Sequence, residues 1–174
     1  MKYILLLLLS LGFGGMLTAQ NTIRQGFVTR MVDADTYIIK TLYGGNPDST
    51  IRVRVVNVDA PEMKSIPNRR KAQEFSQEAT DFVSALILNK EVGVTLYGRD
   101  NFDRVLAFIR INGVRLDDIM LRNGIGWSTY EYTPGKKYAF GKKLEAQARK
   151  EKLGLWGKEN PIEPRVYRKV KDNL

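Results

Sequence analysis

The stretch Ile51-Arg52-Val53-Arg54-Val55-Val56-Asn57-Val58-Asp59-Ala60-Pro61-Glu62 decides the fold. Arg52 and Arg54 alternate with Val53 and Val55, a period of two that predicts a half-buried strand over residues 51–58. The alternation breaks at Val55-Val56, which predicts either a bulge or a strand end covered on both faces. Upstream, two further strand-like runs, 26–32 and 36–42, flank Asp33-Ala34-Asp35, read as a tight turn. Gly44-Gly45-Asn46-Pro47-Asp48 is dense in turn formers and separates the second run from the third. Downstream, the polar segment 63–70 holds Pro67 and reads as a surface loop. A helix is expected over about 72–88, because Ala72, Phe75, Ala79, Phe82, Val83 and Leu86 share one face. Two strands, 91–97 and 105–111, follow, joined by the polar turn 98–103. A short helix over 116–123 carries Asp117 and Asp118 in its first turn, Arg122 in its last, and Gly124 as its C-terminal cap. A last helix is expected over about 139–152, with Phe140, Leu144 and Ala148 spaced four apart. Five short strands, one helix after the third and two after the fifth predict an α+β chain: a five-stranded OB-fold β-barrel with three helices. Strands and helices do not alternate, which disfavours a doubly wound sheet.

Composition narrows the chemistry. The 174 residues contain 28 Lys+Arg, 19 Asp+Glu, no His and no Cys, for a formal charge of +9. Without Cys there is no disulfide, no thiolate nucleophile and no Cys-based zinc or iron–sulfur site. Without His the commonest general base is missing, so Ser-His-Asp, Cys-His and HExxH hydrolases are excluded. An enzyme of this composition must work with carboxylates, Lys, Arg, Tyr, hydroxyls or a hard metal ion. The basic balance favours a polyanionic partner, nucleic acid or an anionic membrane surface.

The two ends of the chain read differently from its middle. Met1-Lys2-Tyr3, the apolar run from Ile4 to Leu9 with its extension to Leu17, and Thr18-Ala19-Gln20 follow the pattern of a secretory signal peptide cleaved after Ala19; an uncleaved anchor is the alternative. The chain therefore divides into a signal peptide (1–19), a barrel domain (20–157) and a basic C-terminal tail (158–174). A secreted or periplasmic location is expected. Residues 136–174 hold 12 basic and 5 acidic residues, against 16 and 14 in residues 1–135. This excess is either a solvated helix face with a frayed tail or an attractor for phosphates. Trp127, Tyr130 and Tyr132 interleave with polar residues in an expected loop. They either pack against the barrel or stack on bases.

A set of charged residues sits in unusual contexts. Asp33 and Asp35 occupy a turn between strands. Asp59 and Glu62 stand at a strand exit stiffened by Pro61, with Arg54 five residues before Asp59. Arg104 opens the fifth strand after Asp103. Carboxylates at two strand ends can converge on one hard cation, and arginines can clamp a phosphate through two parallel hydrogen bonds. With no His, this is the main route the sequence offers to phosphodiester chemistry.

Three segments carry a resemblance: Val32-Asp33-Ala34-Asp35-Thr36; Arg54 through Glu62; and Asp103-Arg104-Val105-Leu106-Ala107. They resemble the three signatures of the thermonuclease (staphylococcal nuclease-like) family. Supporting segments are Phe75-Ser76-Gln77-Glu78-Ala79, Leu121-Arg122-Asn123-Gly124, and the run from Ala146 to Trp156. The resemblance spans about residues 26–157. It implies an OB-fold barrel and a Ca²⁺-dependent endonuclease that hydrolyses DNA and RNA with little base specificity. In that likeness Asp35 and Asp59 match calcium carboxylates, and Ala60 matches a position that binds through its main-chain carbonyl. Glu62 matches the general base on the attacking water. Arg54 and Arg104 match the phosphate-binding arginines, and Tyr130 and Tyr132 a tyrosine pair lining the nucleotide site. Asp33 reads as a support that orients the turn or a bound water. Asp103 stands where Gly is common and is placed to pair with Arg104.

The partners expected on this reading are DNA and RNA, single-stranded or unwound in preference, with no obligate protein partner and a monomeric chain. Two other readings stay open: a non-catalytic nucleic-acid-binding OB-fold module, and a basic protein for anionic cell surfaces. The presence together of Asp35, Arg54, Glu62 and Arg104 argues against a binding module alone.

Overall fold

The computed structural model describes residues 24–41, 49–64, 71–129 and 139–171. The signal segment, the turn at 44–48, residues 65–70 of the expected surface loop, and Tyr130 and Tyr132 lie outside the described residues. The elements in chain order are β1 (Arg24–Asp33), β2 (Thr36–Thr41), β3 (Thr50–Val55), β4 (Val58–Asp59), α1 (Ser76–Ile87), β5 (Glu91–Arg99), β6 (Val105–Ile111), β7 (Val114–Arg115), α2 (Leu116–Arg122), β8 (Trp127–Ser128), α3 (Ala139–Lys150), a 3-10 turn (Gly154–Gly157) and α4 (Pro164–Lys171).

The main sheet runs β3-β2-β1-β5-β6-β7, and β3 also pairs with β6. That last pairing is parallel, Val53 opposite Val105 and Arg54 opposite Leu106, and it closes five strands into a barrel. Closure removes the free edges that an open five-stranded sheet would leave. The OB-fold barrel expected from the sequence is therefore present. Its interior is filled by β-branched and aromatic side chains from alternate strand positions, among them Val28, Tyr37, Ile39, Val53, Val94 and Ile109, all essentially inaccessible to solvent. Ala79, Val83 and Ile87 on one stripe of α1, and Leu116, Met120 and Leu121 on α2, complete the same core.

At four places the structure departs from the sequence reading or decides between its alternatives, each for a physical reason. First, α1 begins at Ser76, not near residue 72. Phe75 has φ of 67°, a left-handed conformation that no helix interior accepts. The preceding backbone is engaged elsewhere: the Gln73 N–H donates to the Glu62 carbonyl at 2.8 Å. Second, the parity break at Val55-Val56 is a strand end, not a bulge. β3 stops at Val55, both valines are fully buried, and the Val56 N–H donates to the Ala107 carbonyl at 3.1 Å. Third, Trp127 is not a loop residue facing bases. It lies in β8, 7% exposed, with its ring edge-on to Trp156 at 5.0 Å between centroids. It packs, as one of the two sequence readings had it.

The fourth difference is in the basic tail, where eight residues form α4. Pro164 stands in its first position, with φ already suited to a helix and no N–H to leave unpaired. The Glu163 carbonyl accepts from the N–H groups of Val166 and Tyr167, both at 2.9 Å.

The second half of the chain is locked on by backbone contact. Gly124, at the end of α2, has φ of +67°, and a Cβ there would lie 2.2 Å from the Leu153 carbonyl oxygen. Only glycine permits that approach and conformation, and the Gly124 carbonyl accepts the Leu155 N–H at 3.0 Å. On α3, the buried Glu145 accepts the Ser128 N–H at 2.8 Å and pairs with Arg149 at 2.7 Å, fixing the helix to β8.

Candidate active site

The site grows from the β1–β2 turn. The Asp33 carboxylate accepts the Asp35 N–H at 3.0 Å, a side-chain turn closure that fixes the two intervening peptides. Tyr37, buried in the barrel, donates its hydroxyl to the Ala34 carbonyl from below. Asp33 thus closes the turn. Burial, and then the negative charge of Asp35, push its carboxyl well above the usual carboxylate range.

Asp35 is directed by this turn into the protein, with 6% of its surface exposed. One carboxylate oxygen accepts the Thr36 hydroxyl at 3.0 Å, and the other accepts the Ala60 N–H at 2.8 Å. Register explains what sits next to it: β2 pairs with β3 so that Thr36 faces Arg54. Arg54 is 3% exposed. Its Nη1 lies 3.0 Å from Asp35 Oδ2 and donates to the carbonyls of Val55 and Val58, each at 2.8 Å; its Nη2 lies 2.9 Å from Asp59 Oδ1. One guanidinium therefore links two buried carboxylates, one from the β1–β2 turn and one from β4, and staples the β3–β4 corner. Asn57, at φ of 67°, makes that corner.

Asp59 is carried on β4, which pairs with β8 so that Asp59 faces Trp127. Gly126 permits this pairing, because a Cβ there would lie 2.8 Å from the Asp59 carbonyl oxygen. Beyond Pro61, the Glu62 backbone is held by Gln73 at both ends. The Glu62 N–H donates to Gln73 Oε1 at 3.1 Å, and the Gln73 N–H returns to the Glu62 carbonyl. Gln73 is 6% exposed and also donates its side-chain amide to the Ile162 carbonyl. It is a positioning residue that the sequence reading missed: one polar residue between two chain segments leaves no periodic signal.

Arg168 was also missed. From α4 its Nη1 reaches Glu62 Oε1 at 2.6 Å and Asp59 Oδ1 at 3.1 Å, while its Nη2 reaches Asp59 Oδ2 at 2.9 Å. Burial would lower its pKa, but the Asp59 and Glu62 carboxylates outweigh burial and hold the guanidinium charged. A basic residue in a basic tail gives no sequence cue that it folds back over 100 residues onto a strand exit.

Arg104 opens β6, whose next residues pair with Val53 and Arg54. It does not take the partner expected for it. Asp103 turns out to Arg99 at 2.6 Å, and Arg104 Nε is held by Asp100 at 2.7 Å. The reason is the turn: Asp103 has φ of 58°, which directs it away, while Asp100 Oδ1 accepts the N–H groups of Phe102 and Arg104. Burial alone would raise the Asp100 pKa; the backbone and side-chain hydrogen bonds and the charge of Arg104 bring it below the ordinary value. Phe102 is 77% exposed beside the Arg104 guanidinium.

The structure thus brings Asp35, Arg54, Asp59, Ala60 and Glu62 into one hydrogen-bonded group, with Asp33 beneath it and Arg104 on the adjoining strand. For a metal, the donor chemistry fits a hard cation, because only carboxylate and carbonyl oxygens are on offer and two carboxylates are already buried side by side. Among the described residues no three acidic side chains stand assembled around one ion position. Arg54 and Arg168 interleave with them instead.

The chain matches the family model described as "Staphylococcal nuclease homologue" over residues 52–158. It is 30% identical over 144 residues to a protein named "uncharacterized endonuclease" from Escherichia coli, covering 82% of this chain and 84% of that one. It is 32% identical over 152 residues to a likewise named endonuclease of Haemophilus influenzae, covering 86% and 74%. The "Staphylococcal-like nuclease CAN1" of Arabidopsis thaliana is 30% identical over 120 residues, covering 69% of this chain and 34% of the plant protein.

Proposed function

This chain belongs to the staphylococcal nuclease homologue family, and on that premise we propose that it is an exported, Ca²⁺-dependent endonuclease that hydrolyses phosphodiester bonds of DNA and RNA with little base preference. The observation that carries the reading is the pair of buried carboxylates, Asp35 and Asp59, joined by the guanidinium of Arg54 with Glu62 on the same short exit. Asp35 and Asp59, with the main chain of Ala60, would hold the ion. When bound, Ca²⁺ would supply polarisation of a phosphoryl oxygen.

The protein's own groups account for the rest. Glu62, partly open to solvent and fixed at its backbone by Gln73, takes a proton from the attacking water. Arg104 stabilises the negative charge that grows on the phosphorus oxygens, and Arg54 adds its positive charge from within the Asp35–Asp59 cluster. A guanidinium rarely gives up a proton, so the leaving oxygen takes its proton from solvent water, and the proton collected by Glu62 returns to solvent. Asp33 keeps the turn that aims Asp35. Tyr130 and Tyr132 line the nucleotide on this reading, and the basic surface draws in the polyanion from solution. Export rests on the three-part N-terminal pattern, and the mature chain would begin at Gln20.

Digestion of plasmid DNA, single-stranded DNA and RNA, each with Ca²⁺ and then with a chelator, tests the proposal. Cleavage of all three with Ca²⁺, and none with the chelator, is expected. Binding without cleavage under both conditions would make the chain a nucleic-acid-binding barrel instead. An intact-mass measurement on exported protein checks the N-terminus, and finding Met1 to Ala19 still attached would favour an anchor.

A further inference from the structure

Arg168 bridges the two acidic groups at the strand exit from a helix whose described side chains are mostly open to solvent. Of the α4 side chains described, only Pro164 is buried, while Arg165, Val166 and Lys169 are exposed. A cavity of about 240 Å³ adjoins the helix at Tyr167, between the segment leading into α4 and residues 73–75, and is bounded also by Trp127, Leu155 and Ile162. Among the helix's contacts are the Tyr167 hydroxyl to the Lys71 carbonyl at 3.0 Å, the Gln73 amide to the Ile162 carbonyl just before the helix, and the Arg168 ion pairs. Segments with little apolar burial open at small free-energy cost. Arg168, in contrast, is directed at groups largely withdrawn from solvent: Asp59 is 5% exposed at its side chain and Glu62 is 20% exposed.

We propose that Arg168 is a built-in cation that competes with the divalent metal for Asp59 and occupies the base Glu62, making α4 a removable cover over both carboxylates. The proposal rests on the assignment of Asp59 and Glu62 to the metal and base. The guanidinium takes both oxygens of Asp59 and one of Glu62. A metal ion bound through Asp59 needs at least one of those oxygens free of a positive charge within hydrogen-bonding distance. The two cations therefore exclude one another or share Asp59 at a cost from like-charge repulsion. Substrate approach to Glu62 is blocked by the same side chain. Coupling of this kind is reciprocal: if the docked helix weakens metal binding, metal weakens helix docking by the same factor. Arg54 does not serve the same purpose, because it is enclosed in the barrel rim and bonded to two backbone carbonyls.

Calcium titration of the intact mature chain by calorimetry, without nucleic acid, is the first test. Arg168→Ala is expected to bind Ca²⁺ about tenfold more tightly than wild type, about 1.4 kcal/mol, and Arg168→Lys by a smaller factor, since a single ammonium cannot bridge both carboxylates. Arg165→Ala removes an exposed charge from the same helix and controls for general electrostatics; its affinity should stay within about twofold of wild type, the residual effect of an exposed, screened charge. Amide hydrogen exchange of the unmodified chain gives the second readout: Ca²⁺ should accelerate exchange in residues 164–171. Equal Ca²⁺ affinity in Arg168→Ala and wild type, with exchange in α4 unaltered by Ca²⁺, overturns the competition and leaves the metal assignment standing. Failure of both proteins to bind Ca²⁺ overturns the metal assignment and the competition with it.

Discussion

Replacing Arg54 with Met removes a charge that four oxygens share: Asp35 Oδ2, Asp59 Oδ1 and the carbonyls of Val55 and Val58. Met keeps most of the side-chain volume, so little cavity forms, and the loss is mainly electrostatic. Removing one partner of a buried ion pair costs about 3–5 kcal/mol, because the other charge stays buried without compensation. Two features put this site at the lower end. Asp59 keeps Arg168, and Asp35 keeps the Ala60 N–H and the Thr36 hydroxyl. The expected loss is therefore about 3 kcal/mol, a large share of the ~5–15 kcal/mol that typically separates folded from unfolded chains. At roughly 2–4 °C per kcal/mol for a chain of this size, the midpoint should fall by about 6–12 °C. Urea unfolding followed by tryptophan fluorescence, with a chelator present, reads the free energy, and calorimetry reads the midpoint. The slope of the urea transition should match wild type, since the surface exposed on unfolding is unaltered. A loss below about 1 kcal/mol, the scale of an ordinary exposed ion pair, would refute the idea that Arg54 is the counter-ion around which the carboxylate pair is built.

Arg104→Lys should retain the fold and lose about 10²–10³-fold in turnover, the scale of one missing transition-state donor, because Lys cannot bond Asp100 and a phosphate together; steady-state cleavage of a short oligonucleotide measures it, and near-normal turnover would contradict the phosphate role. Asp100→Asn removes the anion that caps the β5–β6 turn and orients Arg104, and should cost about 1–2 kcal/mol near neutral pH. The pKa of Asp100 is lowered in the folded protein, so the stability that wild type holds over Asn is fully present above the ordinary Asp value near 3.9 and disappears as pH falls through the lower folded value. Urea midpoints of both proteins across that acidic range should converge, and a gap that widens on acidification would reverse the argument.

The barrel was legible because its signals are periodic. The alternation around Val53, the helical stripe of Ala79 and Val83, and the turn formers at Asp33-Ala34-Asp35 each match a repeat imposed by backbone geometry. The charged residues of the site were legible as a set, since Asp35, Arg54, Asp59 and Glu62 stand at or beside strand ends, which a closed barrel gathers at one rim. What escaped was long-range and aperiodic. Gln73 supports Glu62 through an amide, and nothing near Gln73 in the chain announces that. The left-handed Phe75 ends a helical pattern that composition alone extends. Arg168 reaches Asp59 by a fold-back for which Pro164 opening a short, mostly basic helix is the local cue. The pairing of Arg104 with Asp100 in place of Asp103 was decided by the conformation of the turn between them, which residue identity does not fix.

The central claim is that Glu62 performs base chemistry at a site whose metal affinity resides in Asp35 and Asp59. Single-turnover cleavage of DNA by Glu62→Gln at saturating Ca²⁺, with Ca²⁺ affinity measured by calorimetry on the same preparation, addresses it directly. Gln preserves the shape and the Gln73 contacts to the backbone but cannot accept a proton at neutral pH. A rate lower by about 10²–10⁴-fold, the usual cost of a lost general base, with Ca²⁺ still bound, is the predicted result. Cleavage at the wild-type rate would contradict the account.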